Sequence, residues 1–114
     1  MQGVEPHAKL WIERDGKLAL SEYRVRLLRL IDETGSLAEA AARMDLSYRR
    51  AWGKIREIED NLGLKLVESA AGGHGGGRSR LTADGRRLIE SFDRFQEASE
   101  RDLAREFSRF FKRR

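Results

Sequence analysis

Apolar and polar positions change their period several times along this 114-residue chain, and each change marks an element. Ala8-Lys9-Leu10-Trp11-Ile12-Glu13 alternates small or apolar with polar residues, and Asp15-Gly16 is a tight-turn pair before Lys17-Leu18-Ala19-Leu20. Residues 8–20 therefore predict a short β-hairpin. Ser21 is placed to cap a helix whose apolar positions are Val25, Leu27, Leu28, Leu30 and Ile31, with Gly35 to end it. Ser36-Leu37-Ala38-Glu39 has the spacing of a capping box, in which Glu39 reaches back to the amide of its N-cap Ser36. An alanine-rich helix follows, with side chains small enough to let another helix approach closely. Asp45-Leu46 predicts a short turn, and Ser47 caps a third helix. Tyr48, Ala51, Trp52, Ile55, Ile58 and Leu62 recur along it at spacings of three and four, as one buried stripe. Gly63 stops it.

Leu64-Lys65-Leu66-Val67-Glu68 then reads as a strand, and Ala70 to Gly77 holds five glycines in eight residues, too many for helix or strand. Ser79-Arg80-Leu81 predicts the returning strand. Thr82 caps a last helix with apolar positions at Leu88, Phe92, Phe95, Leu103, Phe107 and Phe110. This order predicts a mainly α fold with a small β wing, a winged helix-turn-helix with an N-terminal hairpin and a C-terminal extension. One domain accounts for residues 1–114: hairpin 8–20, core 21–81 and long helix 82–111. No internal repeat or linker divides it, and a chain of this length buries one modest core.

Composition adds exclusions. There are no cysteines, which rules out disulfides and zinc–thiolate sites and suits a reducing compartment. No apolar run reaches membrane-spanning length and the N-terminus does not resemble a secretory signal, so a cytoplasmic protein is expected. His7 and His74 are the only histidines, which argues against a metal site, and no serine or acid has a histidine at a catalytic spacing. Neither an enzyme nor a cofactor is expected. The net charge is +4, and its distribution is uneven. Residues 1–35 carry six basic and six acidic side chains, residues 36–80 eight and six, and residues 81–114 nine and seven.

Removing the buried stripe from the third helix leaves Arg49, Arg50, Gly53, Lys54, Arg56 and Glu57 facing outward. Arg49 and Arg50 occupy the first turn, where the helix dipole disfavours positive charge, while Glu57, Glu59 and Asp60 lie toward the unfavourable C-terminal end. Local rules are broken most often at functional sites. The N-terminal residues of a recognition helix are the ones that reach base edges and phosphates, so duplex DNA is the expected partner. Tyr48, Arg49, Arg50 and Lys54 form the expected contact set, with Ser36 and Ser47 donating to the DNA backbone from two helix starts. Arg78 and Arg80 flank the glycine loop and are expected on phosphate. Gly72-Gly73-His74-Gly75-Gly76-Gly77-Arg78-Ser79 nearly spells a nucleotide-phosphate loop, but an arginine replaces its lysine and a strand, not a helix, follows. The competing readings are a solvated basic helix face on a protein-interaction module and a loop with no partner. Trp11 and Trp52 are expected in the core.

The run from Gly35-Ser36-Leu37-Ala38-Glu39 through Ser47-Tyr48-Arg49-Arg50-Ala51-Trp52 resembles the helix-turn-helix of the ModE-type, molybdate-responsive regulators, whose winged helix is related to the LysR type. The glycine wing and Leu81-Thr82-x-x-Gly85-x-x-Leu88 extend the resemblance over roughly residues 8–95. It implies DNA binding and dimerisation. At Ser69 these families usually carry an arginine, and a backbone contact is in doubt there. The resemblance also places molybdate binding in a C-terminal module for which residues up to Arg114 leave no room, so no molybdate is expected on this chain, whether it is a stand-alone member or a fragment. A helix over 82–111 would run about 45 Å, more than a core of this size needs. Its stripe of Leu88, Phe92, Phe95, Leu103, Phe107 and Phe110, broken only by Ser99, is expected to pair with a second copy in a homodimer. The competing arrangement folds this helix back over the hairpin of a monomer.

Overall fold

A computed structural model describes residues 2–70 and 78–111, and its elements follow the predicted order. Strands β1 (Trp11–Arg14) and β2 (Lys17–Ser21) pair antiparallel through a turn in which Asp15 and Gly16 both have positive φ. That is the backbone a two-residue hairpin requires, and glycine adopts it without a Cβ penalty. The register shifts by one residue opposite Ile12 and Glu13, so Ala19 and Leu20 are both buried although they are adjacent. Within β1 the inward position falls to Ile12, and Trp11 therefore points outward at 54% exposure rather than into the core as expected.

Helix α1 (Glu22–Thr34) starts on the Ser21 hydroxyl, which accepts from the Arg24 amide at 3.2 Å, and ends at Gly35 in the left-handed region. Val25, Leu27, Leu28 and Ile31 carry its buried face. Helix α2 (Leu37–Arg43) and helix α3 (Tyr48–Leu62) cross through Ala40, Ala41 and Ala51, all 1% exposed or less. Small residues at that crossing allow close contact. Between the two helices, Asp45 takes a positive φ and the Leu46 amide donates to the Ala41 carbonyl at 2.9 Å.

The strand expected from Leu64 begins three residues later. Strand β3 (Val67–Ala70) pairs antiparallel with β4 (Arg78–Leu81), joining Val67 to Leu81 and Glu68 to Arg80. Ahead of it, the backbone finds partners outside any sheet. Glu59 Oε2 on α3 accepts from the amides of Leu66 and Val67 at 2.8 and 3.2 Å. The Leu66 carbonyl accepts from the Thr82 amide at 2.9 Å, and the Lys65 carbonyl from the Thr82 hydroxyl at 2.6 Å. The glycine loop, Gly72 to Gly77 with His74, lies outside the described residues.

Helix α4 (Ala83–Phe111) is capped by Thr82, whose hydroxyl also accepts from the Gly85 amide at 3.0 Å. Only Gly85, Ile89 and Phe92 of its 29 residues are buried. The helix therefore lies on the core with its first three turns and extends beyond it, giving overall dimensions of 64 × 30 × 22 Å. One apolar cluster unites β2, α1, α2, α3, the wing and the start of α4.

Gly85 seats α4 against the wing. A Cβ there would stand 2.5 Å from the Leu66 carbonyl oxygen. Gly85→Ala is expected to destabilise the fold by about 1–3 kcal/mol through overpacking, lowering Tm by several degrees in a thermal melt. An unchanged or raised Tm would remove this account of the α4 seat.

Candidate nucleic-acid interface

The outward face of α3 begins at its N-cap. The Ser47 hydroxyl oxygen accepts from the Arg50 amide at 3.1 Å, and its own hydrogen stays available for a donor role. Tyr48, Arg49 and Arg50 follow in the first turn and are all exposed. Tyr48 had been counted in the buried stripe, but at 54% exposure it belongs to the surface, because its place at the helix start lies beyond the edge of α2 and α1 packing. Among the described residues, neither Arg49 nor Arg50 forms an ion pair. Two cations thus stand at the positive end of a helix dipole with no ion-pair partner among the described residues.

The acids that looked misplaced at the other end of α3 have structural duties. Glu57 pairs at 2.6 Å with Arg24, whose side chain is 9% exposed and also donates to the Leu18 carbonyl at 3.2 Å. An arginine head that buried needs a carboxylate and a carbonyl. Glu59 holds the two amides ahead of the wing. Fold, not function, explains Glu57 and Glu59, whereas nothing in the fold explains Arg49 and Arg50.

Lys54 is half-buried, with its ammonium 5.3 Å from the centre of the Tyr23 ring on α1. It is tethered to its own protomer more closely than the expected contact set implies. Along the same face Trp52 is half-buried rather than a full core residue, and its indole N–H donates to the Tyr48 hydroxyl at 2.9 Å. The Arg56 guanidinium lies 5.9 Å from the Trp52 ring. Tyr48, Arg49, Trp52, Gly53 and Arg56 together line a shallow open groove. Trp52, Gly53 and Arg56 were not in the expected set, although the four-residue spacing of Tyr48, Trp52 and Arg56 was there to be read.

A second group gathers at the root of the wing. Ser36 caps α2, accepting from the Glu39 amide at 3.0 Å. The reciprocal half of the capping box is absent. The Ser36 amide donates instead to the Thr34 hydroxyl at 3.1 Å, and Glu39 pairs with Arg43 one turn on. Next to Ser36, the Gly35 carbonyl accepts from the Ser79 amide at 2.9 Å, which brings the start of β4 against the α1–α2 corner. Arg78 is exposed there, and its guanidinium approaches Gly35. Arg80 is exposed too but is bound at 3.0 Å to Glu68 across the wing. Ser69, where an arginine was to be expected, is exposed opposite Ser79.

The apolar stripe of α4 divides in two. Phe92 is 2% exposed in the single chain and Leu88 packs on the same core, so their burial is already accounted for within one protomer. Leu103 and Phe107 are half-buried, while Phe95, Phe110 and Phe111 are exposed at 48%, 72% and 53%. Phe107 and Phe111 stack with centroids 5.0 Å apart. Residues from Glu5 to Leu10 run beside this part of α4 and share a groove with Leu103. Among the described residues no helix is long and apolar enough to cross a membrane. Among the described residues no cluster of three or more His, Asp or Glu forms.

Residues 23–86, more than half of the chain, match the model of bacterial regulatory helix-turn-helix proteins of the lysR family. The molybdenum transport protein ModE of Azotobacter vinelandii is 38% identical over 85 residues, covering 75% of this chain and 32% of that protein. The DNA-binding transcriptional dual regulator ModE of Escherichia coli (strain K12) is 38% identical over 84 residues, 74% of this chain and 32% of the relative. The chain thus spans about a third of the length of these curated relatives. Among solved structures, the complex of the CbnR DNA-binding domain with DNA superposes with a TM-score of 0.55 at 27% identity, covering 75% of this chain and 93% of that one. The BenM DNA-binding domain at the benA site reaches 0.54 over 80% of this chain and 97% of its own, at 15% identity, a likeness of fold. By the match over residues 23–86, the chain belongs to the LysR family of bacterial regulatory helix-turn-helix proteins.

Proposed function

We propose that this chain binds duplex DNA in a sequence-specific manner and regulates transcription as a homodimer in the cytoplasm. The observation that carries the reading is the pair Arg49 and Arg50, exposed on the first turn of α3 without an ion-pair partner among the described residues. That helix is held rigidly by a core that buries Ala51, Ile55 and Ile58. Its first turn enters the major groove, Arg49 and Arg50 reach base edges or phosphate, and Ser47 donates to the DNA backbone. Ser36 and Arg78 hold phosphate from the wing root, with Arg80 contributing less because Glu68 already engages it. The DNA in the CbnR complex and the DNA-binding regulation for which the Escherichia coli relative is named support the reading. The molybdenum in the name of the Azotobacter vinelandii relative belongs to a protein of which the match covers only 32%, and we assign this chain no oxyanion site, no cofactor and no enzymatic role.

Dimerisation rests on α4. Phe95, Phe110 and Phe111 are exposed and Leu103 and Phe107 half-exposed on a helix that outruns its own core. A contiguous apolar stripe of this kind is a solubility liability unless a symmetry mate covers it.

If each protomer neutralises about three phosphates, a dimer will show a log–log salt slope of roughly −5 in DNA-binding titrations. A flat salt response would exclude the DNA reading. Arg49→Ala or Arg50→Ala will relax preference at particular base positions and cost about 1–3 kcal/mol on the best site. Arg78→Ala will weaken all sequences nearly equally. Equal, sequence-independent losses at all three positions would remove base reading from α3. In sedimentation at micromolar concentration, wild type will run as a dimer and Leu103→Asp/Phe107→Asp as a monomer. A monomeric wild type, or a dimeric double variant, would show that α4 is not the dimerising element.

A further inference from the structure

Gly53 has no structural reason to be glycine. It lies within α3, an exposed interior position where glycine costs a helix about 1 kcal/mol against alanine. A Cβ added there would meet nothing within 4 Å among the described residues, and its φ is not in the left-handed region. Neither crowding nor backbone geometry within the protomer accounts for it. What glycine does provide is depth, since it forms the floor of the groove lined by Tyr48, Arg49, Trp52 and Arg56.

The chemistry of that groove narrows what it accepts. Its walls are almost entirely carbon. The indole N–H of Trp52, which would otherwise offer a donor, is already given to the Tyr48 hydroxyl, and this bond also fixes the two rings against each other. The Arg56 guanidinium lies 5.9 Å from the centre of the Trp52 ring and lines the same groove. An apolar notch with cationic edges, on the outward face of the helix read as entering the major groove, faces a surface made of hydrogen-bonding groups and one apolar feature. That feature is the 5-methyl group of thymine.

We propose that Gly53 opens a notch in α3 that seats a thymine methyl in the DNA major groove, with Tyr48 and Trp52 as its walls. This rests on the DNA-binding reading and adds a position of sequence specificity to it. Burying one methyl-sized group is worth about fourfold in affinity per half-site, or about 15-fold when both half-sites of a dimer lose it.

The test uses the full chain and a duplex selected from a random pool, with each thymine replaced in turn by deoxyuridine, which lacks only the methyl group. One thymine per half-site should show the fourfold loss. Gly53→Ala should melt at a higher temperature than wild type. It should also bind the thymine and uracil duplexes equally, because its new methyl occupies the notch. A flat uracil scan with wild type would overturn the proposal while leaving DNA binding intact. So would a Gly53→Ala variant that still prefers thymine. If Gly53→Ala weakens binding and the uracil scan is flat, the glycine admits sugar-phosphate backbone and the methyl assignment fails. Loss of all salt-dependent duplex binding in wild type would instead remove the DNA reading itself.

Discussion

Three consecutive residues, Lys65 to Val67, fix the geometry of the molecule because two different helices claim their backbone. Glu59 reaches from α3 to take the amides of Leu66 and Val67, and Thr82 uses its amide and hydroxyl on the carbonyls of Leu66 and Lys65. Hydrogen bonds to a carboxylate are stronger than neutral ones, about 1.5–3 kcal/mol each. The same threonine caps α4, and Gly85, three residues on, lets that helix close on the Leu66 carbonyl. Through this one junction α3, the wing and the long helix take fixed positions relative to each other. A dimer built on α4 would therefore set the spacing and direction of its two α3 helices without any further contact between protomers.

The same junction explains why α3 carries acids where its dipole disfavours them. Glu59 is committed to the wing and Glu57 to the buried guanidinium of Arg24. Each gives up a fraction of a kcal/mol of helix stability for a tertiary bond worth more. Among the described residues no such exchange exists for Arg49 and Arg50. The charge order of α3 thus has two causes, one at each end. The N-terminal one is the observation on which the proposed DNA contact rests.

The elements were legible because period and caps agree. Ser21, Ser47 and Thr82 accept from the amides of Arg24, Arg50 and Gly85, and Gly35 and Gly63 close α1 and α3. What escaped was decided by contacts distant in sequence. Leu64 to Leu66 alternate like a strand, but Glu59 and Thr82 withdraw their backbone from a sheet. Glu39 sits at capping-box spacing, yet Thr34 reaches the Ser36 amide first. Trp11 and Trp52 are aromatic at apolar positions, and only the register of β1 and the edge of the α2–α3 contact place them outside the core. In the candidate site the basic first turn of α3 could be read directly. The groove around Gly53 could not, because its meaning depends on an absence of neighbours that no sequence states. Gly85 and Gly53 make the contrast plain: both stand inside helices, one where a Cβ has no room and the other where it has nothing to touch.

Electrostatics concentrates what remains. Along α4, Asp84 pairs with Arg87, Asp102 with Arg105 and Glu106 with Arg109, while Asp93 takes Arg29 from α1. Exposed pairs of this kind contribute little to stability, but each removes a cation from the long-range field. On the wing Glu68 does the same to Arg80, and on α2 Glu39 to Arg43. A net charge of +4 spread evenly over so many arginines would steer nothing in particular. Arg49, Arg50 and Arg78, at the α3 start and the wing root, are among the cations that form no ion pair among the described residues. Local positive charge of this kind raises encounter rates with a polyanion, an effect that falls away with salt. On α4 three arginines, Arg87, Arg105 and Arg109, are held by acids of the same helix, and the exposed aromatics Phe95, Phe110 and Phe111 stand beside them.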